Sequence, residues 1–361
     1  MTPGGFQEEA LRRAAHVAAG LAPAAHARRA LHEETLRALD EAGFARHFVP
    51  RRWGGRSGTF RDLLHATARV AESCASTAWC GMLWAAHGRF AARLPQPAQQ
   101  EIWGSGPDTR IAAGLRPAAG RARTTRQGWL VEGSWPMVSG VEHAEWLLLV
   151  APVHQREPAR VFAVPRDAVT VSDTWDAAGL RATGSHSVQL TETFVPDHRS
   201  TPLPALLAAR DDRTEARCHA APAHLAGQIM MCAPALGAAG AALRAWTRDV
   251  RSGLDAPEHA SRRIGLARVS ADIDSVELLL DAAARRADSA PVTPAVVARN
   301  QRDAAVSAQR LADALTSLAQ AAPDAGAGEF RRGRDDVLTV ATHGALRLDA
   351  AALAYAAGVG A

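Results

Sequence analysis

The stretch Gly133-Ser134-Trp135-Pro136-Met137-Val138-Ser139-Gly140 reads as a strand that runs into an exposed turn. It sits in a region, from about Ile111 to Thr201, where the apolar periodicity tends toward two and β-branched residues gather. Strand candidates there are Trp129 to Trp135, Trp146 to Ala151, Arg160 to Val164, Val169 to Ser172 and Ser187 to Leu190, punctuated by Gly, Pro, Asp and Ser. Upstream, from Phe6 to about Trp103, apolar residues recur at three- and four-residue spacing, as in Leu36 and Leu39, then Leu63, Leu64, Thr67 and Val70. A loop at Val49-Pro50-Arg51-Arg52-Trp53-Gly54-Gly55 interrupts that pattern. Downstream of the linker Thr201-Pro202-Leu203-Pro204, helical signal returns in four long segments, 222–252, 259–289, 294–321 and 329–358. Four is the count for a bundle. The expected architecture is mainly α with a central β domain: an N-terminal helical domain over 1–110, a β-barrel or sandwich over 111–201 and a C-terminal four-helix bundle over 202–361.

Composition narrows the chemistry. The 361 residues are 47% hydrophobic and 22% charged, as in an ordinary soluble globular protein. Every one of the 41 basic residues is arginine, so lysine Schiff bases and a P-loop lysine are excluded. The formal charge of +4 is spread among acids along the chain, not gathered on one arm, which argues against nucleic acid as a partner. Cys74, Cys80, Cys218 and Cys232 lack CxxC spacing and sit in apolar surroundings, so neither a disulfide frame nor a metal site is expected, and the thiols suit a reducing cytoplasm. The N-terminus has no apolar signal core. From Cys218 to Leu243 no side chain is charged, long enough for a membrane span, but the stretch holds His219, Pro222, His224, Gln228 and Pro234 and is rich in Ala and Gly. A helix buried on several sides of a bundle gives the same signal, and that is the expectation here.

Four stretches stand out as motifs. They are Ser73-Cys74-Ala75-Ser76-Thr77-Ala78-Trp79 followed by His87; Gly133 to Gly140 followed by His143 and Trp146; Trp175-Asp176-Ala177-Ala178-Gly179-Leu180-Arg181-Ala182-Thr183-Gly184-Ser185 leading to Phe194-Val195-Pro196; and Arg334-Asp335 with His343 eight residues on. Read in isolation, Ser139 is a turn serine satisfying a backbone group, and His87 and His343 are core histidines. His343, with Val340 and Leu346 at three-residue spacing, is expected on the last long helix, facing the bundle interior.

Taken in order, the three-part architecture and these motifs resemble the acyl-CoA dehydrogenase superfamily over nearly the whole chain. More narrowly they resemble its flavin-dependent monooxygenase branch, which holds the oxygenase component of 4-hydroxyphenylacetate hydroxylase, the dibenzothiophene monooxygenases and the amino-sugar nitrososynthases. The resemblance implies that Trp135, Met137, Val138, Ser139 and Gly140 line the flavin, with Ser139 in reach of its N5, and that Thr183 and Ser185 also bind it. It implies His343 as a base near flavin C4a and the substrate, and His87 as a second pocket histidine contacting the substrate. It further implies FMNH2 or FADH2 supplied by a separate reductase, O2 as co-substrate, a C4a-hydroperoxide as the oxidant, a small organic substrate and a homotetramer or homodimer.

Two departures and two rivals complete the reading. The first β-domain strand offers Ala112-Ala113-Gly114, nothing polar, and Ala345 stands two residues beyond His343, so a phenylacetate-type substrate is not implied. A dehydrogenase needs a carboxylate base, yet no Glu follows His343, and no acid lies between Glu215 and Asp249. N-oxygenation of an amine would use the same fold and flavin. No GxGxxG follows a strand, and Gly237-Ala238-Ala239-Gly240 lies within a helical segment, so no nicotinamide site is expected.

Overall fold

The computed structural model describes residues 5–116, 119–154, 157–210, 216–254, 256–322 and 328–359. The first third is helical: α1 (Glu8–Arg28), α2 (Glu33–Ala42), α3 (Phe60–Ala71), α4 (Ala75–Ala91) and α5 (Gln96–Trp103). Eight strands follow: β1 (Ile111–Gly114), β2 (Arg121–Thr124), β3 (Gly128–Val138), β4 (Trp146–Ala151), β5 (Arg160–Pro165), β6 (Thr170–Ser172), β7 (His186–Pro196) and β8 (Ser200–Pro202). The rest is helical again: α6 (Leu203–Leu207), α7 (Arg217–Ala220), α8 (Gly227–Val250), α9 (Ala260–Ser289), α10 (Pro294–Ala321), α11 (Glu329–Ala341) and α12 (Leu348–Val359).

The strands form two four-stranded sheets, ordered β1-β4-β5-β8 and β2-β3-β7-β6. Only the β1–β4 pairing is parallel; the others are antiparallel. The alternation of β4 explains how the β unit is held. Leu147, Leu149 and Ala151 face the space between the sheets with Trp135, Phe162 and Val188, whereas Leu148 and Val150 pack on Ile102 and Trp103 of α5. A strand buried on both faces reads as an unbroken apolar run, as Trp146 to Ala151 does. The edge strands β2 and β8 were not foreseen: Arg121-Ala122-Arg123-Thr124 is largely exposed and carries no apolar alternation.

The helices before and after the β unit share one core, in which α8 lies against α3, α4, α9, α10 and α11. By length and composition α8 would pass for a membrane span, yet 72% of its most apolar window is buried inside the protein, as the bundle reading expected. Its Ala and Gly residues let neighbouring backbones approach closely. At the crossing with α3, a Cβ on Gly237 would stand 2.1 Å from the Ala68 carbonyl oxygen and 2.7 Å from Ala71 Cβ. Gly237→Ala is therefore expected to cost about 1–3 kcal/mol of stability, read as a lower urea midpoint with an unchanged slope. The buried Arg89 on α4 and Arg93 just beyond its end donate to the carbonyls of Cys218, His219 and Ala221, tying the α7 segment to the first helical unit.

One expected element divides. The segment 329–358 is not a single helix: α11 ends at Ala341, a 3-10 turn occupies Gly344–Leu346, and α12 starts at Leu348. His343 therefore lies in the break and caps the turn, its Nδ1 accepting from the Ala345 N–H at 3.2 Å. Gly344 permits a close approach by Arg116, whose Nη2 would be 2.6 Å from a Cβ at this position.

Candidate active site

Between α4, the β unit and the α11–α12 break lies a cavity of about 480 Å3, a size suited to a cofactor and a small ligand. Three of its residues come from one face of α4: Trp79, Leu83 and His87 are spaced four apart and so stack along the helix. Trp135, Met137, Ser139 and Ser185 come from the β unit, and Thr339, Thr342 and His343 from α11 and the turn after it. Among the described residues, no carboxylate lines it.

The β3 end is shaped by a bulge. Trp135 pairs with Val188 and Val138 with His186, so Pro136 and Met137 have no partner in the ladder. Met137 takes φ +57° and is 48% exposed, turned out over the cavity. Trp135 is locked by a 2.6 Å bond from its Nε1 to the Val150 carbonyl. Three residues expected to line the flavin stand behind the wall instead. Val138 is buried in the sandwich core, Gly140 at φ +68° donates to the Thr183 carbonyl at 2.7 Å, and the Thr183 side chain is buried under the loop. The alternation of β3 and the turn's inward bond direct them away from the cavity.

The two histidines are held in opposite tautomers. His87 Nδ1 lies 2.8 Å from the Ile111 carbonyl, an acceptor only, so Nδ1 carries the proton and Nε2 keeps its lone pair. His343 Nδ1 accepts from a backbone N–H, so its proton is on Nε2. Burial pushes both pKa values down to about 4, and the Arg116 guanidinium adds to the effect on His343. Both imidazoles are then neutral at physiological pH. Nitrogen-15 spectra of histidine-labelled protein are expected to show Nδ1–H for His87 and Nε2–H for His343, each titrating near pH 4. Titration of either ring near 6.5 would contradict this arrangement. Trp79 meets the His343 ring edge-on at 5.5 Å between centroids.

Ser139 sits at the centre of a polar line across an otherwise apolar wall. Its Oγ is 2.7 Å from Ser185 Oγ and 3.2 Å from Trp79 Nε1; Ser185 Oγ is 2.7 Å from Thr183 Oγ1, which is 2.8 Å from the Leu180 carbonyl. The loop bearing these groups is pinned to α11: a Cβ on Gly179 would clash at 2.1 Å with the Asp335 carbonyl, and Leu180 N–H donates to Asp336 Oδ1 at 2.6 Å. Leu180 takes the left-handed conformation at φ +52°, and burial raises the Asp336 pKa to about 7. The third and fourth motifs are thus one contact, made through Asp336, which the motif reading had passed over. Arg116 was also missed, because only the folded β1 end brings it beside His343.

Planar apolar walls of tryptophan, a backbone bulge free of ladder partners and the Ser139 hydroxyl at the end of β3 fit an isoalloxazine ring. Among the described residues no group of three or more His, Cys, Asp or Glu side chains could hold a metal.

The acyl-CoA dehydrogenase C-terminal domain family matches residues 229–354. The oxygenase subunit HsaA, a flavin-dependent monooxygenase of Rhodococcus jostii, is 30% identical over 260 residues, covering 68% of this chain and 68% of that protein. HsaA of Mycobacterium tuberculosis is 37% identical over 174 residues, covering 47% of this chain but only 44% of the relative. The crystal structure of XiaF from Streptomyces sp. in complex with FADH2 and glycerol superposes with a TM-score of 0.89, at 26% identity and with 97% of this chain and 94% of that one covered. The chain belongs to the family of flavin-dependent monooxygenase oxygenase subunits, built on the acyl-CoA dehydrogenase fold. The matched stretch spans less than half the length of the Mycobacterium relative.

Proposed function

We propose that this chain is the oxygenase component of a two-component monooxygenase, which takes FMNH2 or FADH2 from a separate reductase and uses O2 to hydroxylate a small organic substrate of aromatic type. The observation that carries this reading is the pair of neutral histidines with opposite tautomers on one cavity that has no carboxylate among the described residues lining it. A dehydrogenase would need that carboxylate to remove a proton alpha to a thioester.

Reduced flavin, when bound, supplies the two electrons for oxygen activation, so that one oxygen atom enters the substrate and the other leaves as water. The chain's own groups then divide the work. His87 Nε2, the free lone pair, accepts a hydrogen bond from a substrate hydroxyl and so orients the ring to be hydroxylated, its lowered pKa making it an acceptor and not a base that takes the proton outright. His343 Nε2–H donates to oxygen, so the acceptor toward the substrate is His87 and not His343, where a base was first expected. Trp79, Trp135 and Leu83 exclude water.

The test is anaerobic titration of the purified chain with FMNH2 and FADH2, then aeration in the presence of phenols and, as a separate panel, amines. Tight binding of one reduced flavin, O2-dependent hydroxylation of a phenol and no NADH oxidation without added reductase are expected. NADH oxidation by the chain alone, or failure to bind either reduced flavin, would overturn the reading.

A further inference from the structure

The hydroxyl line across the cavity wall has a direction, and its two ends set it. The Leu180 carbonyl can only accept, and Trp79 Nε1–H can only donate. Two oxygens 2.8 Å apart with no proton between them repel, so Thr183 must give its single hydroxyl proton to Leu180. Ser185, at 2.7 Å, must then give its own to Thr183, and Ser139, at 2.7 Å, must give its own to Ser185. At the far end Trp79 donates to Ser139 at 3.2 Å. Every proton in the line points away from the cavity. Ser139 Oγ has no proton left to offer and one lone pair still open.

The line is also held rigidly. Leu180 is kept in its left-handed conformation by the 2.6 Å bond from its N–H to Asp336 on α11, and its carbonyl accepts from Trp175 Nε1 at 3.0 Å as well. Thr183 and Ser185 are both buried, so water cannot readily replace either hydroxyl.

We propose that this directed line makes Ser139 an acceptor only and thereby selects reduced over oxidised flavin, with Ser185 and Thr183 as the positioning residues. The inference rests on the flavin reading above. Reduction places a proton on flavin N5, where the oxidised ring has a bare lone pair. An acceptor-only serine meets an N–H in the first case and a second acceptor in the other. A serine free to rotate would bond to both and discriminate little.

The experiment measures dissociation constants for one flavin in both states, oxidised in air and dithionite-reduced under anaerobic conditions, and reads their ratio. Wild type is expected to favour the reduced form. Ser185→Ala frees the Ser139 proton to turn into the cavity, and the ratio should fall on the order of tenfold, mainly through tighter oxidised binding. Thr183→Val, similar in shape, leaves Ser185 without its acceptor and should shift the ratio the same way. Ser185→Thr keeps the line and should restore the wild-type ratio. Loss of packing alone would weaken both states alike; a constant ratio in both Ser185→Ala and Thr183→Val overturns the proposal, as does a wild-type ratio near one. Absence of binding in both states by wild type sinks the functional reading and this inference with it, whereas bound flavin with an unaltered ratio sinks this inference alone.

Discussion

His87→Leu is expected to lower hydroxylation by roughly tenfold to a hundredfold, the scale for loss of one well-placed hydrogen bond, while reduced-flavin affinity stays near wild type. The Ile111 carbonyl takes the Nδ1 proton and so leaves Nε2 as the one strong acceptor that His87 shows the substrate. Leucine keeps approximate size but offers no acceptor. Because burial holds the His87 pKa near 4, below its ordinary value of 6.5, the neutral acceptor form persists as pH falls through 6.5 and is lost only near 4. The acid limb of the wild-type profile should lie correspondingly low. His343→Gln makes the contrast, since a glutamine N–H can stand in for the Nε2–H donor, and its loss should be several-fold smaller. Single-turnover product yield, measured with reduced flavin supplied chemically, compares the two directly. If His343→Gln proves the more damaging, the roles assigned from the tautomers are reversed.

Ser139→Ala should shift the fate of oxygen more than the rate at which it is consumed. If reduced flavin binds with its N5–H toward Ser139, the variant would lack this acceptor and the flavin proton would be held less firmly, which would favour release of hydrogen peroxide over hydroxylation. One well-placed hydrogen bond of about 1–3 kcal/mol corresponds to roughly tenfold to a hundredfold in the rate of that side reaction. The variant should therefore consume oxygen normally, yield little hydroxylated product and accumulate peroxide. Peroxide and product measured on the same sample give the partition. A variant that couples oxygen to product as well as wild type does would remove Ser139 from the mechanism. The neighbouring Met137, 48% exposed on the bulge, should tolerate Leu with far less effect, because it offers surface and no directed bond.

Much of the fold was legible because it is encoded locally. Segment 294–321 coincides with α10, whose Thr293 cap accepts from Val296 N–H and whose Pro294 suits a first turn. Trp146 to Ala151 coincides with β4, since apolar runs bounded by turn residues need no distant information to be read. His87, Ser139 and His343 were picked out by motif, and the fold brings all three to one cavity. The strands β2 and β8 carried no pattern, being short edges whose order comes from their partners.

What remained hidden depends on contacts between distant parts of the chain. Periodicity carried the last helical segment straight through 342–347, but there the His343 cap and the close approach of Arg116 to Gly344 divide it. Val138, Gly140 and Thr183 share a motif with cavity residues yet are not among the lining, Val138 because it packs in the sandwich core, Gly140 and Thr183 because a backbone hydrogen bond joins them behind the turn. Asp336 looked like any helix acid until Leu180, 156 residues earlier, came to lie against it. The amino-acid order was enough for the architecture and for three of the side chains that meet at the cavity. Which nitrogen of each histidine holds its proton, and which way the serine line points, follow from single carbonyl and N–H partners that only the folded chain places within 3.2 Å. A hydrogen bond is directional and short-ranged, so the chemical role of these groups is set by tertiary geometry.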